Sequence, residues 1–265
     1  MATSEPLSQE SAPDAAARRE YGRQGLFAVL TPQSNPIAEP ELRILLPPAC
    51  CMVSARLTSP GSRLERRLTD YAERLDCFLD QFGTIGADAM GVACTGSFYG
   101  MDLGEERARA AARQARRRCP VVTAVDAVDA ALRVLGVGSI ALVSPYPSWL
   151  TENCRSHWER LGTRVTAVLQ LPSGATEPHR IYSLTSAAVV TSALQLDARG
   201  AEAILLTGTG MPSLRVIQQL EPTLGIPVLS SNLCLAWALA RTVGVGKPGP
   251  ESRLYGGWAE RLALA

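Results

Sequence analysis

The sequence predicts an α/β protein of two similar halves, with a ligand site in the cleft between them, and three observations carry that reading. From residue 25 onward, short apolar runs alternate with stretches of helical period, the pattern of parallel sheets joined by crossover helices. An internal repeat is present: Cys119-Pro120-Val121-Val122-Thr123-Ala124 and its apolar helix resemble Ile226-Pro227-Val228-Leu229-Ser230-Ser231 and the helix that follows. Each copy is preceded by a strand, a helix and a polar turn, Cys94-Thr95-Gly96 in the first and Gly208-Thr209-Gly210 in the second. Ligands of open α/β sheets bind beyond the carboxyl ends of the strands, so these turns are expected to face each other, with Gly208 opposite Cys94.

Element by element, residues 25–30 form the first strand, closed by the turn-forming Thr31-Pro32-Gln33-Ser34-Asn35-Pro36. A short helix over 39–46 precedes Pro47-Pro48, and 50–57 is the second strand. The span 62–82 has a helical period that places Leu64, Leu68, Tyr71, Leu75, Phe78 and Leu79 on one face. The apolar run 87–93 ends abruptly in Cys94-Thr95-Gly96-Ser97, and an Arg- and Ala-rich helix over 104–118 follows. Its early acids and late bases (Arg113, Arg116, Arg117 and Arg118 among them) suit the helix dipole, so it is expected to be a solvated face rather than a nucleic-acid patch. Strand 120–122, helix 124–135, strand 139–143, helix 148–161 and strand 164–169 come next. After a loop over 172–179, helix 185–200, strand 203–207, a helix to about residue 220, strand 226–229 and a last long helix complete the pattern.

With 265 residues, the chain can form one large domain or two small ones around a buried core. It is 46% hydrophobic and 19% charged, and 26 basic against 25 acidic side chains create no global field for nucleic acid or an anionic membrane. No apolar run reaches the length of a membrane span. Residues 1–24 are polar, lack an apolar signal core and carry Glu5, Glu10, Asp14 and Glu20; a disordered tail on a cytoplasmic protein is the expectation. Seven cysteines, an odd number without zinc-type spacing, predict reduced thiols and no metal site.

Cys94 is the candidate reactive residue. A thiol of free pKa about 8.5 needs converging N–H groups or a helix N-terminus to ionise at neutral pH, and the 94–97 turn is expected to offer both. Thr95, Ser97 and the backbone there supply hydrogen bonds for an anion, and Tyr146, set between Pro145 and Pro147, adds a phenol. Thr207-Gly208-Thr209-Gly210 lacks the register and the lysine of a nucleotide-binding loop. Asn232 suits both a helix N-cap and a substrate contact. Cys234 falls within an apolar helix, and Cys50, Cys51, Cys77, Cys119 and Cys154 carry no functional signal. His157 and His179, the two histidines, sit away from the predicted strand ends.

Taken in order, Cys94-Thr95-Gly96-Ser97-Phe98-Tyr99-Gly100, Ser144-Pro145-Tyr146, Leu205-Leu206-Thr207-Gly208-Thr209-Gly210 and Gly225-Ile226-Pro227-Val228-Leu229-Ser230-Ser231-Asn232 resemble the maleate cis–trans isomerase and arylmalonate decarboxylase branch of the aspartate/glutamate racemase superfamily. The resemblance runs from about Phe27 to Trp258. It implies two pseudo-symmetric, flavodoxin-like (Rossmann-like) parallel-sheet halves, a cofactor-free site in the cleft and a homo-oligomer. Residues 25–136 with 233–265 would form the first half and 137–232 the second. In the racemases and the isomerase, one cysteine from each half flanks the substrate, and the isomerase's first-half cysteine attacks the alkene. The decarboxylase keeps only the second-half cysteine, which protonates an enediolate held by hydroxyl and N–H donors.

Cys94 matches the first-half cysteine, Asn35 an isomerase-type substrate-binding asparagine, and Thr95 and Tyr146 carboxylate-binding positions; Ser230-Ser231-Asn232 is isomerase-like. The chain departs from the pattern at Gly208, where the second cysteine belongs, at Gly96, where a serine is usual, and over 172–179, which holds no second asparagine. Without a second thiol, two-base racemisation is disfavoured. The expected activity is decarboxylation of a malonate-type acid, with Cys94 protonating an enediolate held by Thr95, Tyr146 and the 207–210 turn (Thr207, Gly208, Thr209); Asn35, Gly96, Ser97 and Asn232 are further substrate-binding candidates, Asn35 and Asn232 favouring the isomerase alternative. The alternative is maleate-type isomerisation with Cys94 as nucleophile. An alternative of another class is a non-catalytic ligand-binding or accessory protein of carboxylate catabolism. Each takes a small carboxylate or dicarboxylate, with no cofactor, nucleic acid or membrane.

Overall fold

The computed structural model of the chain describes residues 19–172 and 180–265. Most of the expected tail and of the loop 172–179, including His179, lies outside the described residues. The first sheet contains β1 (Gly25–Pro32), β2 (Cys50–Leu57), β3 (Ala89–Val92) and β4 (Val121–Thr123) in the order β2-β1-β3-β4. The second contains β5 (Ser139–Ser144), β6 (Arg164–Gln170), β7 (Ala203–Leu206) and β8 (Val228–Ser230) in the order β6-β5-β7-β8. Every pairing is parallel. Both sheets therefore repeat one flavodoxin-like order, second strand, first, third, fourth. The inner strands are largely apolar because helices cover both faces: Phe27 to Leu30, all of β5 and all of β7 are buried.

The helices are α1 (Ala38–Leu45), α2 (Leu64–Glu73), α3 (Leu75–Asp80), α4 (Leu103–Arg116), α5 (Ala124–Leu135), α6 (Ser148–Arg160), α7 (Ser186–Ala193), α8 (Leu214–Leu224), α9 (Ser231–Thr242) and α10 (Ala259–Ala263). The internal repeat is visible in detail. Strand β4 runs straight into α5, and β8 straight into α9, with Thr123 and Ser230 as matching N-caps. Thr123 forms a capping box with Asp126, and the Ser230 hydroxyl accepts from the Leu233 N–H. Ser230, not Asn232, is thus the cap of α9. That helix packs on α5, α1 and β3. Among the described residues, no helix is long and apolar enough to cross a membrane.

Three expectations change. The helical span 62–82 is two helices, broken at Arg74 (φ −101°, ψ 12°). Leu75, Phe78 and Leu79 of α3 enter the core, while Leu64, Arg67, Leu68 and Tyr71 of α2 line a cleft pocket. The arginine-rich face of α4 is not merely solvated: Arg113, Arg116 and Arg117 gather around Asp76 of α3, with N–O separations of 3.6, 2.7 and 3.5 Å. The expected helix over 185–200 ends at Ala193, because the chain turns through Asp197, whose carboxylate accepts from the Arg199 N–H and guanidinium, and reaches Gly200 at φ +77°. Arg19, within the expected tail 1–24, is tied to Asp88 at 2.6 Å.

Candidate functional site

Cys94 and Gly208 occupy equivalent positions, two residues beyond β3 and β7. Each chain is still in its sheet one residue earlier: Ala93 donates to the Leu30 carbonyl at 2.8 Å and Thr207 to the Val143 carbonyl at 3.0 Å. Between the two strand ends lies a pocket of about 580 Å³, counting its open mouth. Cys94, Thr95, Gly96 and Tyr146 line one part, and Asn35, Thr209 and Gly210 another. Leu64, Leu68, Leu150 and Ile181 supply an apolar wall, and Arg67, Tyr71 and Tyr182 a polar one.

Hydrogen bonds across the cleft fix these groups. Thr95 Oγ1 and Tyr146 Oη are 2.8 Å apart. One of the two hydroxyls donates to the other; with Thr95 as donor, the Tyr146 hydroxyl hydrogen is available to a ligand. Thr209 Oγ1 donates to the Ala93 carbonyl at 2.8 Å and accepts from Asn35 Nδ2 at 3.1 Å. Asn35 Oδ1 in turn accepts from the Ile37 and Ala38 N–H groups at the head of α1. Arg56 secures the same loop through Thr31 Oγ1 and the Pro32 and Asn35 carbonyls, its charge paired with Glu39 at 3.1 Å.

Burial decides the ionisation of these groups. The Cys94 thiol is pushed above the ordinary cysteine range by burial, against the opposing hydrogen bonds of the Ser97 hydroxyl and of the Ser97 and Gly96 N–H groups. Ser97 Oγ lies 3.2 Å from the sulfur. The helix N-terminus expected to assist ionisation is absent from the turn: α4 begins only at Leu103, and Asp102 caps it. At neutral pH, Cys94 is therefore a protonated thiol. Burial also raises Tyr146 well above the normal phenol value and pushes Tyr71 and Tyr182 up to about 12, so all three are neutral hydrogen-bond donors.

The structure brings Cys94, Asn35, Thr95, Gly96, Tyr146 and Thr209 together on the pocket wall, and sets four of the expected residues off it. Ser97 touches the sulfur from behind. Thr207 lies beneath the floor, 2.6 Å from Tyr99 Oη and 3.6 Å from Cys154 Sγ. Gly208 sits behind Tyr146: its N–H donates to Ser231 Oγ at 3.1 Å, and a Cβ there would lie 2.9 Å from Tyr146 Oη. Asn232 points away, its Nδ2 donating to Glu41 Oε2 at 2.7 Å and to the Thr209 carbonyl at 3.1 Å, so it props the Thr209 turn. His157 is not on the wall either. It is buried against Tyr99 and Trp158 and pushed down to about 4 by burial and by Arg160, and is uncharged at neutral pH.

Arg67, Tyr71 and Tyr182 are pocket residues that the sequence reading missed. A signal for Arg67 was present: the spacing 64, 67, 68, 71 makes one helical stripe, and a charge in an otherwise apolar stripe marks a buried cation. Tyr182 carried no such signal, because its ring packs where a Cβ on Gly210 would otherwise sit. Among the described residues, no group of three His, Cys, Asp or Glu side chains is placed to hold a metal ion.

The chain resembles known proteins along most of its length. It is 27% identical over 161 residues to a maleate isomerase of Geobacillus stearothermophilus, a match covering 58% of this chain and 61% of that protein. A maleate isomerase of Pseudomonas putida is 25% identical over 246 residues, covering 86% of this chain and 96% of the relative. In fold, the chain is similar to a Nocardia farcinica maleate cis–trans isomerase mutant solved with a covalently bound succinylcysteine intermediate, with a TM-score of 0.75 at 21% identity over 86% of this chain and 96% of that one. The model of the arylmalonate decarboxylase family matches residues 67–255, from the pocket arginine of α2 through both strand-end turns to Tyr255. With that match over more than half its length, the chain belongs to the arylmalonate decarboxylase family.

Proposed function

We propose that the protein is a cofactor-independent decarboxylase of a malonate-type acid, with Cys94 as its proton donor. The observation that carries this reading is a single thiol on the pocket wall, kept protonated by burial, beside hydroxyl and N–H donors. In this mechanism one substrate carboxylate accepts from the Tyr146 hydroxyl, held in place by Thr95. The other faces Leu68 and Leu150, which flank Gly96 closely enough that a Cβ there would meet them at 3.3 and 3.4 Å. An anion against an apolar wall loses hydration, and that favours loss of its charge as carbon dioxide. The carbon–carbon bond breaks, its electron pair passes into an enediolate, and the donor that held the carboxylate now stabilises the oxyanion. Cys94 then gives its proton to carbon, and the thiolate is reprotonated by water. Delivery from the first half, rather than from the second-half cysteine position, predicts a product of the opposite hand to that of the decarboxylase pattern.

A second reading, isomerisation of a maleate-type diacid through a Cys94 adduct, is favoured by Asn35 on the pocket wall and by the likeness to maleate isomerases. It requires a thiolate, which burial opposes. Carbon dioxide release from a disubstituted malonate separates the proposal from its alternatives. Replacing Cys94→Ser should lower it by about 10²- to 10⁴-fold, the usual worth of a general acid. Equal release by both proteins would remove Cys94 from the mechanism, and no release by either would favour the isomerase or the non-catalytic binding protein.

A further inference from the structure

We infer that Arg67 is the counter-ion for a second anionic group on the substrate, distinct from the carboxylate held by Thr95 and Tyr146. This inference rests on the pocket of Cys94 being the substrate site. Arg67 lies on the pocket wall, only 8% exposed, and its buried Nε has no hydrogen-bond partner. Several other arginines have carboxylates close by: Arg19 has Asp88, Arg56 has Glu39, and Arg117 has Asp76 and Asp80. The acid one turn along from Arg67, Asp70, is already held by Arg66 at 2.8 Å and by the Ser59 hydroxyl. No described carboxylate pairs with Arg67.

A buried cation without a partner is costly, and a ligand anion would relieve that cost. The guanidinium fork matches a carboxylate in a bidentate arrangement, and the neutral phenols of Tyr71 and Tyr182 share its part of the wall. The class of substrate follows. If Arg67 held the departing carboxylate of a malonate, it would stabilise the reactant against loss of carbon dioxide. In a decarboxylase its anion is therefore an acid group on the side chain of the malonate; in an isomerase it is the second carboxylate of the alkene diacid. In either case the substrate carries a charge that a purely aryl or alkyl malonate lacks.

The test measures how well small acids shield Cys94 from iodoacetamide. Succinate and butyrate have the same chain length and differ by one carboxylate. In the wild type, succinate should shield at a concentration at least about tenfold lower than butyrate, as expected for a charged hydrogen-bonded pair. Arg67→Met should erase that advantage, and Arg67→Lys, which keeps the charge but loses the fork, should retain part of it. Unfolding midpoints of both variants show whether each folds, and the wild-type comparison stands even if Arg67→Met does not. Equal shielding by the two acids in the wild type, or an advantage that survives Arg67→Met, would overturn the role of Arg67 while leaving the pocket reading intact. Failure of both acids to shield would overturn the pocket reading and this inference together. Turnover then separates the two sources of the anion. Arg67-dependent carbon dioxide release from carboxymethylmalonate marks an acidic side chain, and Arg67-dependent fumarate formation from maleate marks the diacid.

Discussion

The sulfur of Cys94 is subject to opposing influences: burial favours the thiol, while the Ser97 hydroxyl and two backbone N–H groups favour the thiolate, and burial prevails. An acid whose pKa is raised holds its proton to higher pH, so the reactive thiolate appears late in a titration. The rate of Cys94 alkylation by iodoacetamide should therefore rise with a midpoint above the about 8.5 of a free thiol. Ser97→Ala, which removes a hydrogen bond favouring the thiolate, should move that midpoint higher still. A midpoint below the free-thiol value would contradict this account and restore the nucleophile. Most of these residues were legible in sequence, because a polar turn after an apolar strand can be recognised without coordinates, and Cys94, Thr95 and Tyr146 stand in such turns. Which members of a turn face the ligand was not legible. Gly208, at φ +87°, redirects the chain between Thr207, which stays beneath the floor, and Thr209, which reaches the cleft.

At the scale of the elements, the strand ends are shaped to exclude a second thiol. The left-handed backbone at Gly208 costs a residue with a Cβ about 1–2 kcal/mol, and that Cβ would lie only 2.9 Å from Tyr146 Oη. Gly208→Cys should accordingly lower stability by at least about 1 kcal/mol in chemical denaturation and displace Tyr146 from Thr95, rather than simply complete a two-cysteine site. A variant as stable as the wild type would contradict the strain argument. The strands and most helices were legible from alternating period and cap chemistry, as at Thr123 with Asp126. The break between α2 and α3 was not, because Leu64, Leu68, Tyr71, Leu75 and Leu79 keep one apolar spacing across it, and only the packing shows that the first three line the pocket.

Across the whole molecule, the two sheets are joined by polar groups buried in the cleft. Glu41 of α1 accepts from the Ser213 N–H and hydroxyl and the Leu214 N–H at the head of α8, and from Asn232 of α9. Burial pushes its carboxyl above the usual range, and those hydrogen bonds oppose the shift. Glu41→Ala would strand buried donors and should cost at least about 2 kcal/mol, read from the urea midpoint. A loss below about 0.5 kcal/mol, as at an ordinary surface site, would show that Glu41 is not a brace. The two-half architecture was legible from the repeat, whereas this brace was not, since residues 41, 213 and 232 are brought together only by the fold.

The central claim, a buried thiol acting as an acid, is tested most directly by incubating wild type and Cys94→Ser in deuterated water with a disubstituted malonate and, separately, with maleate, and following the products by NMR. The account predicts loss of carbon dioxide from the malonate, with deuterium on the α-carbon of one product enantiomer, and its absence in Cys94→Ser. Fumarate formed from maleate without solvent deuterium, with the malonate untouched, would contradict it and establish Cys94 as a nucleophile.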